Sequence, residues 1–270
     1  MTLISVEKDL CTKCGVCAVP CRIIYWKKGN YPRQLPNTDD FCMRCGYCIG
    51  LCPTGALKHA EMPPAETPLI DESLKISFEQ CSQLIRARRS IREYKDTDVG
   101  KEEFERIIDV ARYAPTGHNF QGVHWLVVNN REKVRKVAAI GADWLRGMAG
   151  ENPQMAEMFS GIVKELDAGH DEFLHDAPSF VITCAQKENR IAATDCVIAL
   201  SYFDLVANTA GLGCCWAGFL MMAAATYPPM INELKLPHEL APHGAMLVGY
   251  PAYPYVRIPA RKPAKIIFQP

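Results

Sequence analysis

Cys11-Thr-Lys-Cys14-Gly-Val-Cys17-Ala-Val-Pro-Cys21 is answered thirty-one residues later by Cys42-Met-Arg-Cys45-Gly-Tyr-Cys48-Ile-Gly-Leu-Cys52-Pro53. Both runs read C-x2-C-x2-C-x3-C. This spacing wraps three thiolates around one iron-sulfur cube and sends the fourth to the other. The crossing rule predicts one cluster on Cys11, Cys14, Cys17 and Cys52, and a second on Cys42, Cys45, Cys48 and Cys21. Gly15 and Gly46 ease the tight turns between the ligands. Pro20 precedes the last cysteine of the first run, whereas Pro53 follows that of the second. Structural zinc usually pairs two C-x2-C knuckles, a shape neither run has. Disulfides belong to oxidising compartments and small secreted chains.

The stretch over about residues 1–60 resembles a bacterial two-cluster ferredoxin module. Working outward, Ala56 to His59 reads as a closing strand. Glu61 to Ile70, rich in proline and acids, reads as a linker. The expected organisation is therefore a ferredoxin-like domain over 1–60, a linker over 61–75 and a second domain over 76–270.

The full chain has 270 residues, 49% of them apolar, enough for a sizeable core, and a formal net charge of zero. Nothing global points to nucleic acid or an anionic membrane. Residues 1–60 nevertheless carry eight Lys and Arg against four acids. Two oxidised cubes at about −2 apiece would balance that excess. The other reading is a face for an acidic electron-carrier protein. The N-terminus lacks the apolar run of a signal peptide, and 191–210, the most apolar later stretch, holds Asp195, Asp204 and Asn208. The expectation is a soluble protein of a reducing cytoplasm.

In the second domain, helices are expected over 77–88 and over 101–113, the latter with Asp98 as N-cap and Phe104, Ile107, Ile108 and Ala111 on one face. A strand follows over 123–128 and a helix over 131–147. Residues 153–168 put Met155, Met158, Phe159, Ile162, Val163 and Leu166 on one stripe, read as core or as a mobile lid. Residues 179–185, 214–219 and 245–250 read as strands. The helix over 191–210, apolar on most sides and stopped at Gly211 and Gly213, must be buried in the domain or in a subunit interface. The tail from Pro251 is too irregular to be a core element.

Three scattered pieces then combine. Arg88-Arg89-Ser90-Ile91-Arg92 offers forked cations suited to a phosphate. Ala114-Pro-Thr-Gly-His-Asn-Phe-Gln121 is a turn whose amides can donate and accept at once. Arg261-Lys262-Pro263 lies near the C-terminus. With Gly211-Leu212-Gly213 before a strand, they resemble the nitroreductase family of flavoproteins over about residues 77–265, although Gly122 stands where the family commonly has proline. The resemblance implies an α+β, nitroreductase-like FMN-binding fold, an antiparallel sheet flanked by helices, in a homodimer with exchanged arms. It implies that Arg88, Ser90, Arg92 and Arg261, with Arg89 nearby, hold the phosphate and ribityl oxygens of FMN. Pro115, Thr116, Asn119 and Gln121 would hold the ring's polar edge, and the backbone of Ala217 and Gly218 would lie beside its reactive nitrogen.

The cofactors expected are thus FMN and two [4Fe-4S] clusters, with no catalytic side chain assigned, since the flavin carries the chemistry. Neither His118 nor His124 is given a proton-transfer role. Single electrons would enter through the clusters from an external ferredoxin and leave from FMN to a nitroaromatic, quinone or conjugated alkene. Trp144, Phe159 and Phe219 are candidate selectors of that acceptor. Alternatives are an NAD(P)H-dependent nitroreductase with accessory clusters, or an electron-transfer or redox-sensing subunit acting on a protein partner. Trp216 stands where a dinucleotide fingerprint after Gly211 and Gly213 wants glycine, which argues against a Rossmann module. Cys214 and Cys215, adjacent on a strand, should face opposite ways.

Overall fold

The computed structural model describes residues 2–151 and 156–269. Its chain divides into two units, one running to Lys75 and including His118–Phe120, the other formed by the remainder. Residues 61–75 thus fall with the first unit, where Pro64–Glu66 and Glu72–Leu74 make short 3-10 turns.

In the first unit β1 (Ile4–Val6) pairs antiparallel with β4 (Leu57–His59), setting Ile4 opposite His59 and Val6 opposite Leu57. The strands β2 (Ile24–Tyr25) and β3 (Arg33–Gln34) form a second ribbon. The Gln34 side-chain oxygen accepts from the backbone N–H groups of Leu3 and Ile4 at 2.8 and 3.1 Å, holding the two ribbons to each other. The doubling of the sequence extends to the backbone. Lys13 and Arg44 each take positive φ (58° and 51°), as do Gly15 and Gly46 two residues on (77° and 75°). Each glycine opens a short helical turn, Val16–Ala18 in the first run and α1 (Tyr47–Gly50) in the second, which turns Cys17 and Cys48 into the core with Leu3, Ile23, Ile24 and Leu57.

The second unit is a four-stranded antiparallel sheet in the order β5-β6-β8-β7, with β5 His124–Val128, β6 Ser179–Gln186, β7 Gly213–Trp216 and β8 Leu240–Gly249. Period-two alternation sends Phe180, Ile182, Cys215, Ala245 and Leu247 to one face, against α4 (Arg131–Glu151), α5 (Ala156–Asp167), α7 (Gly218–Thr226) and α8 (Pro228–Leu234). Val181, Cys214, Met246 and Val248 face the other way, against α3 (Lys101–Ala111) and α6 (Ala192–Thr209). Cys214 and Cys215 do face opposite ways. The first helix of the unit, α2 (Phe78–Ala87), opens with a capping box between Ser77 and Gln80.

Several expectations change. The N-cap of α3 is Gly100, which makes no side-chain cap bond, while Asp98 and Asp96 pair with Arg131, Asp96 at 2.7 Å. The strand expected over 214–219 stops at Trp216, and α7 begins two residues later. In the stripe over 153–168, Met155 lies outside the described residues and Met158 is exposed. Phe159 is fully buried, and Ile162, Val163 and Leu166 pack beside it. Trp144, Phe159 and Phe219 pack ring to ring, with centroids 6.0–6.4 Å apart, inside one core layer. Trp144 also donates its indole N–H to Thr226 at 3.2 Å. These aromatics hold the fold together, and truncating the buried Trp144 or Phe159 to Ala would cost about 3–5 kcal/mol. The segment after Pro251 forms no regular element, and its described residues are exposed from Tyr253 on. No described helix is long and apolar enough to cross a membrane.

Candidate functional site

The eight cysteines of the two runs sort into two cavities. Cys11, Cys14, Cys17 and Cys52 line one; Cys21, Cys42, Cys45 and Cys48 line the other. These are the two crossed sets that the spacing implies. The thiols also interact within these sets. Burial pushes Cys17 up, and Cys52, Cys14 and Cys11 add to the effect. Burial pushes Cys48 up to about 11, helped by Cys21, Cys42 and Cys45. Cys17 and Cys48 are thus hard to ionise alone, whereas hydrogen bonds hold Cys14 and Cys52 down, and a metal that replaces the protons of the buried thiols relieves the repulsion. Among the described residues no three His, Cys, Asp or Glu side chains converge on a single ion. A cube makes no such demand, because each thiolate binds a different iron. A donor beside the first cavity fits the same group. The Trp26 indole packs where a Cβ on Gly15 would sit, 2.6 Å from the ring carbon next to its nitrogen, and that N–H is buried without a protein partner.

In the second unit the arginine run lies alongside β7. Ser90 bridges Cys214 in parallel, and the Ile91 N–H donates to the Cys214 carbonyl at 2.9 Å. This approach requires glycine at position 213, because a Cβ there would stand 2.4 Å from Ile91. Arg88, Ser90 and the strand leading to Ala217 and Gly218 are thereby brought together. Arg92 is exposed at the end of the run. Ala217 is buried and gives its N–H to the Ala245 carbonyl at 2.9 Å, whereas Gly218 is exposed as the first residue of α7, where a helix leaves its N–H groups without partners inside the helix. The donors and cations here suit an anionic group.

The turn over 114–121 holds three residues at positive φ: His118, Asn119 and Gln121. The Gln121 N–H donates to the Thr116 hydroxyl at 2.9 Å, and Pro115 is exposed. Asn119 does not offer its amide to this turn. Its Nδ2 donates to the carbonyls of Met43 and Arg44, at 3.0 and 2.9 Å, within the first unit. Arg261 stands exposed in the tail, and among the described residues no hydrogen bond or ion pair joins it to Arg88, Ser90 or Arg92. Arg89 is half-buried, with no ion pair among the described residues.

The nitroreductase family model matches residues 85–250, more than half of the chain. The chain belongs to the nitroreductase family. A 4Fe-4S binding domain also matches residues 38–58. Among solved structures, the chain is similar to an FMN-bound nitroreductase from Desulfitobacterium hafniense DCB-2, at 24% identity and a TM-score of 0.57, covering 72% of this chain and 99% of the other. It is likewise similar to an FMN-bound nitroreductase from Bacteroides fragilis NCTC 9343, at 23% identity and a TM-score of 0.55, covering 69% and 96%. A relative from Bacillus subtilis strain 168, named FMN reductase [NAD(P)H], is 27% identical over 61% of this chain and 63% of its own length. As a nitroreductase-family protein, the chain is an oxidoreductase with the family's α+β fold.

Two buried carboxylates of this nitroreductase-family chain belong to the site although sequence reasoning gave them no role. Asp204 on α6 pairs with Arg88 Nη1 at 3.2 Å, and burial pushes its carboxyl up to about 6 against the pull of Arg88. Asp195, also on α6, accepts from the Gly117 N–H of the turn at 3.0 Å. Nine residues place them on opposite faces of the helix, about 13 Å apart along its axis. The same helix therefore anchors both the arginine run and the turn. The available signal was that an acid in an otherwise apolar helix must have a buried partner.

Proposed function

We propose that the chain is an FMN-dependent oxidoreductase that receives electrons through two [4Fe-4S] clusters and passes them to a small oxidised acceptor of the nitroaromatic, quinone or conjugated-alkene class. The observation that carries this reading is the sorting of eight thiols into two cavities, on the same chain as a nitroreductase-family unit. Cys11, Cys14, Cys17 and Cys52 would hold one cluster, and Cys21, Cys42, Cys45 and Cys48 the other. Arg88, Ser90 and Arg92 would bind the FMN phosphate and ribityl oxygens, with Arg89 beside them. Thr116, Gln121 and Pro115 would bound the ring edge, and Ala217 with Gly218 would lie along the ring. When bound, these groups convert one-electron delivery into two-electron chemistry.

The protein's contribution is placement. Asp204 keeps the Arg88 fork in position, Asp195 holds the turn, and Gly213 lets the arginine run approach β7. Arg261, on a tail whose described residues are exposed from Tyr253 on, would complete the phosphate site from a second subunit of a homodimer. An external ferredoxin is the donor that the cluster unit suits. The name of the Bacillus subtilis relative favours a second reading, in which NAD(P)H reduces the flavin directly.

The test is anaerobic purification, iron and flavin analysis, and absorbance titration with reduced ferredoxin in one sample and NADH or NADPH in another. About eight irons per chain, one FMN, and flavin bleaching by reduced ferredoxin are expected. Bleaching by nicotinamides alone would replace the first reading with the second.

A further inference from the structure

His59 is the histidine that ends β4, and it is buried, with 4% of its surface exposed. Its Nε2 lies 3.5 Å from the sulfur of Cys42, the first cysteine of the second run. The other ring nitrogen settles the tautomer. Nδ1 accepts the backbone N–H of Glu61 at 3.1 Å, so it presents a lone pair and the ring proton of the neutral imidazole sits on Nε2. We propose that His59 donates an N–H···S hydrogen bond to the Cys42 thiolate and thereby raises the reduction potential of the second cluster. This inference rests on the two-cluster reading above.

The local fold is built to hold that contact. Met62 donates its N–H to the His59 carbonyl at 3.1 Å in a bridge that closes a tight turn, bringing the Glu61 N–H back to the Nδ1 edge of the ring. The Glu61 carboxylate in turn receives a forked pair of bonds from Arg44, through Nε and, at 3.0 Å, Nη2. Arg44 also donates to the Cys42 carbonyl at 3.3 Å. The circuit from Cys42 through Arg44 and Glu61 to His59 and back to the Cys42 sulfur is closed, and the imidazole cannot swing away without breaking it. Hydrogen bonds to sulfur are one of the means by which a protein sets a cluster's potential. A donor stabilises the reduced cluster more because that state carries more negative charge on its sulfurs, and burial strengthens the effect. The first run has no imidazole at its cysteines among the described residues. Among the described side chains, the other set, on Cys11, Cys14, Cys17 and Cys52, has hydroxyls beside it instead, Thr12 at Cys14 and Thr54 4.0 Å from the Cys52 sulfur. His59 is thus a positioning residue for one cluster of the pair.

The experiment is an EPR-monitored redox titration of the anaerobically purified full chain, as wild type, His59→Phe and His59→Gln, with iron determined on each sample. His59→Phe is expected to lower one midpoint only, by about tenfold in the equilibrium constant for reduction, or about 59 mV for one electron. His59→Gln, which keeps an N–H at similar reach, should restore part of that shift. Pulsed EPR of wild type labelled with 15N-histidine should show a weak nitrogen coupling to the cluster whose midpoint moved. Should the Phe variant lose iron, the Gln variant and the 15N coupling in wild type decide the matter. A wild type with eight irons whose midpoints do not respond to either substitution overturns the inference alone. So does a nitrogen coupling strong enough to mean an iron–nitrogen bond. A wild type with fewer irons overturns the two-cluster reading, and this inference with it.

Discussion

Asp204 is a carboxyl whose burial on α6 outweighs the cation beside it. A group raised from about 4 when unfolded to about 6 when folded makes the native state bind the extra proton within that window. Native stability therefore falls as pH rises from about 4 to about 6, by on the order of 2–3 kcal/mol. In Asp204→Asn that dependence should vanish. The stability difference between variant and wild type, read by anaerobic urea unfolding, should grow in the variant's favour from pH 4 to pH 7; a difference flat with pH would refute the assignment. The paired glycines give a second test. Gly15→Ala and Gly46→Ala both force a Cβ into left-handed backbone, worth about 1–2 kcal/mol. At Gly46 the nearest obstacle is the Met62 sulfur at 3.8 Å, whereas at Gly15 the Cβ would stand 2.4–2.6 Å from the rigid Trp26 ring. The Gly46 variant should keep its full iron, and the Gly15 variant should lose about half of it. The sorting of the eight thiols into two cavities was legible because the two runs repeat one spacing along the chain. Asp204 was not, because its partner lies 116 residues away and only the packed fold brings the two together.

At the level of elements, periodicity located most helices and strands of the second unit to within a few residues. It missed α7. Gly218–Thr226 is apolar on every side, so no polar face betrays a helical period, and the run from Cys214 to Phe219 imitates a buried strand. The helices α4 and α5 were legible, α5 through its apolar stripe, but what α4 packs against was not. Gly141 on α4 is such a case. Replacing a helical glycine by alanine normally stabilises by about 1 kcal/mol. Here the new Cβ would lie 2.3–2.5 Å from the Phe173 ring, and overpacking of that kind costs about 1–3 kcal/mol. Gly141→Ala should therefore lower the unfolding midpoint in thermal or urea denaturation, and a raised midpoint would show that Phe173 yields without cost.

On the scale of the whole chain, the division into a cluster unit and an α+β unit could be read from the cysteine block and the arginine and glycine motifs that follow it. The destination of the tail could not. Ile266, Ile267 and Phe268 are 66%, 89% and 86% exposed, and the proposed homodimer would cover them with a second subunit. On the homodimer reading, removal of the residues beyond 252 should leave the sheet and both its helical layers folded. Light scattering should then report a monomer, and flavin analysis a chain stripped of FMN. Arg261→Ala should lower flavin content while the dimer persists. A truncated chain that stays dimeric and yellow would end that reading.

The opposed sulfurs of Cys214 and Cys215 have a practical consequence. Neighbours in sequence, they are sealed beneath different helical layers of one sheet, so each stays dark to an alkylating reagent until its own roof lifts. A mass shift at one and not its neighbour would tell which layer breathes first, a two-channel gauge of opening already written into adjacent codons.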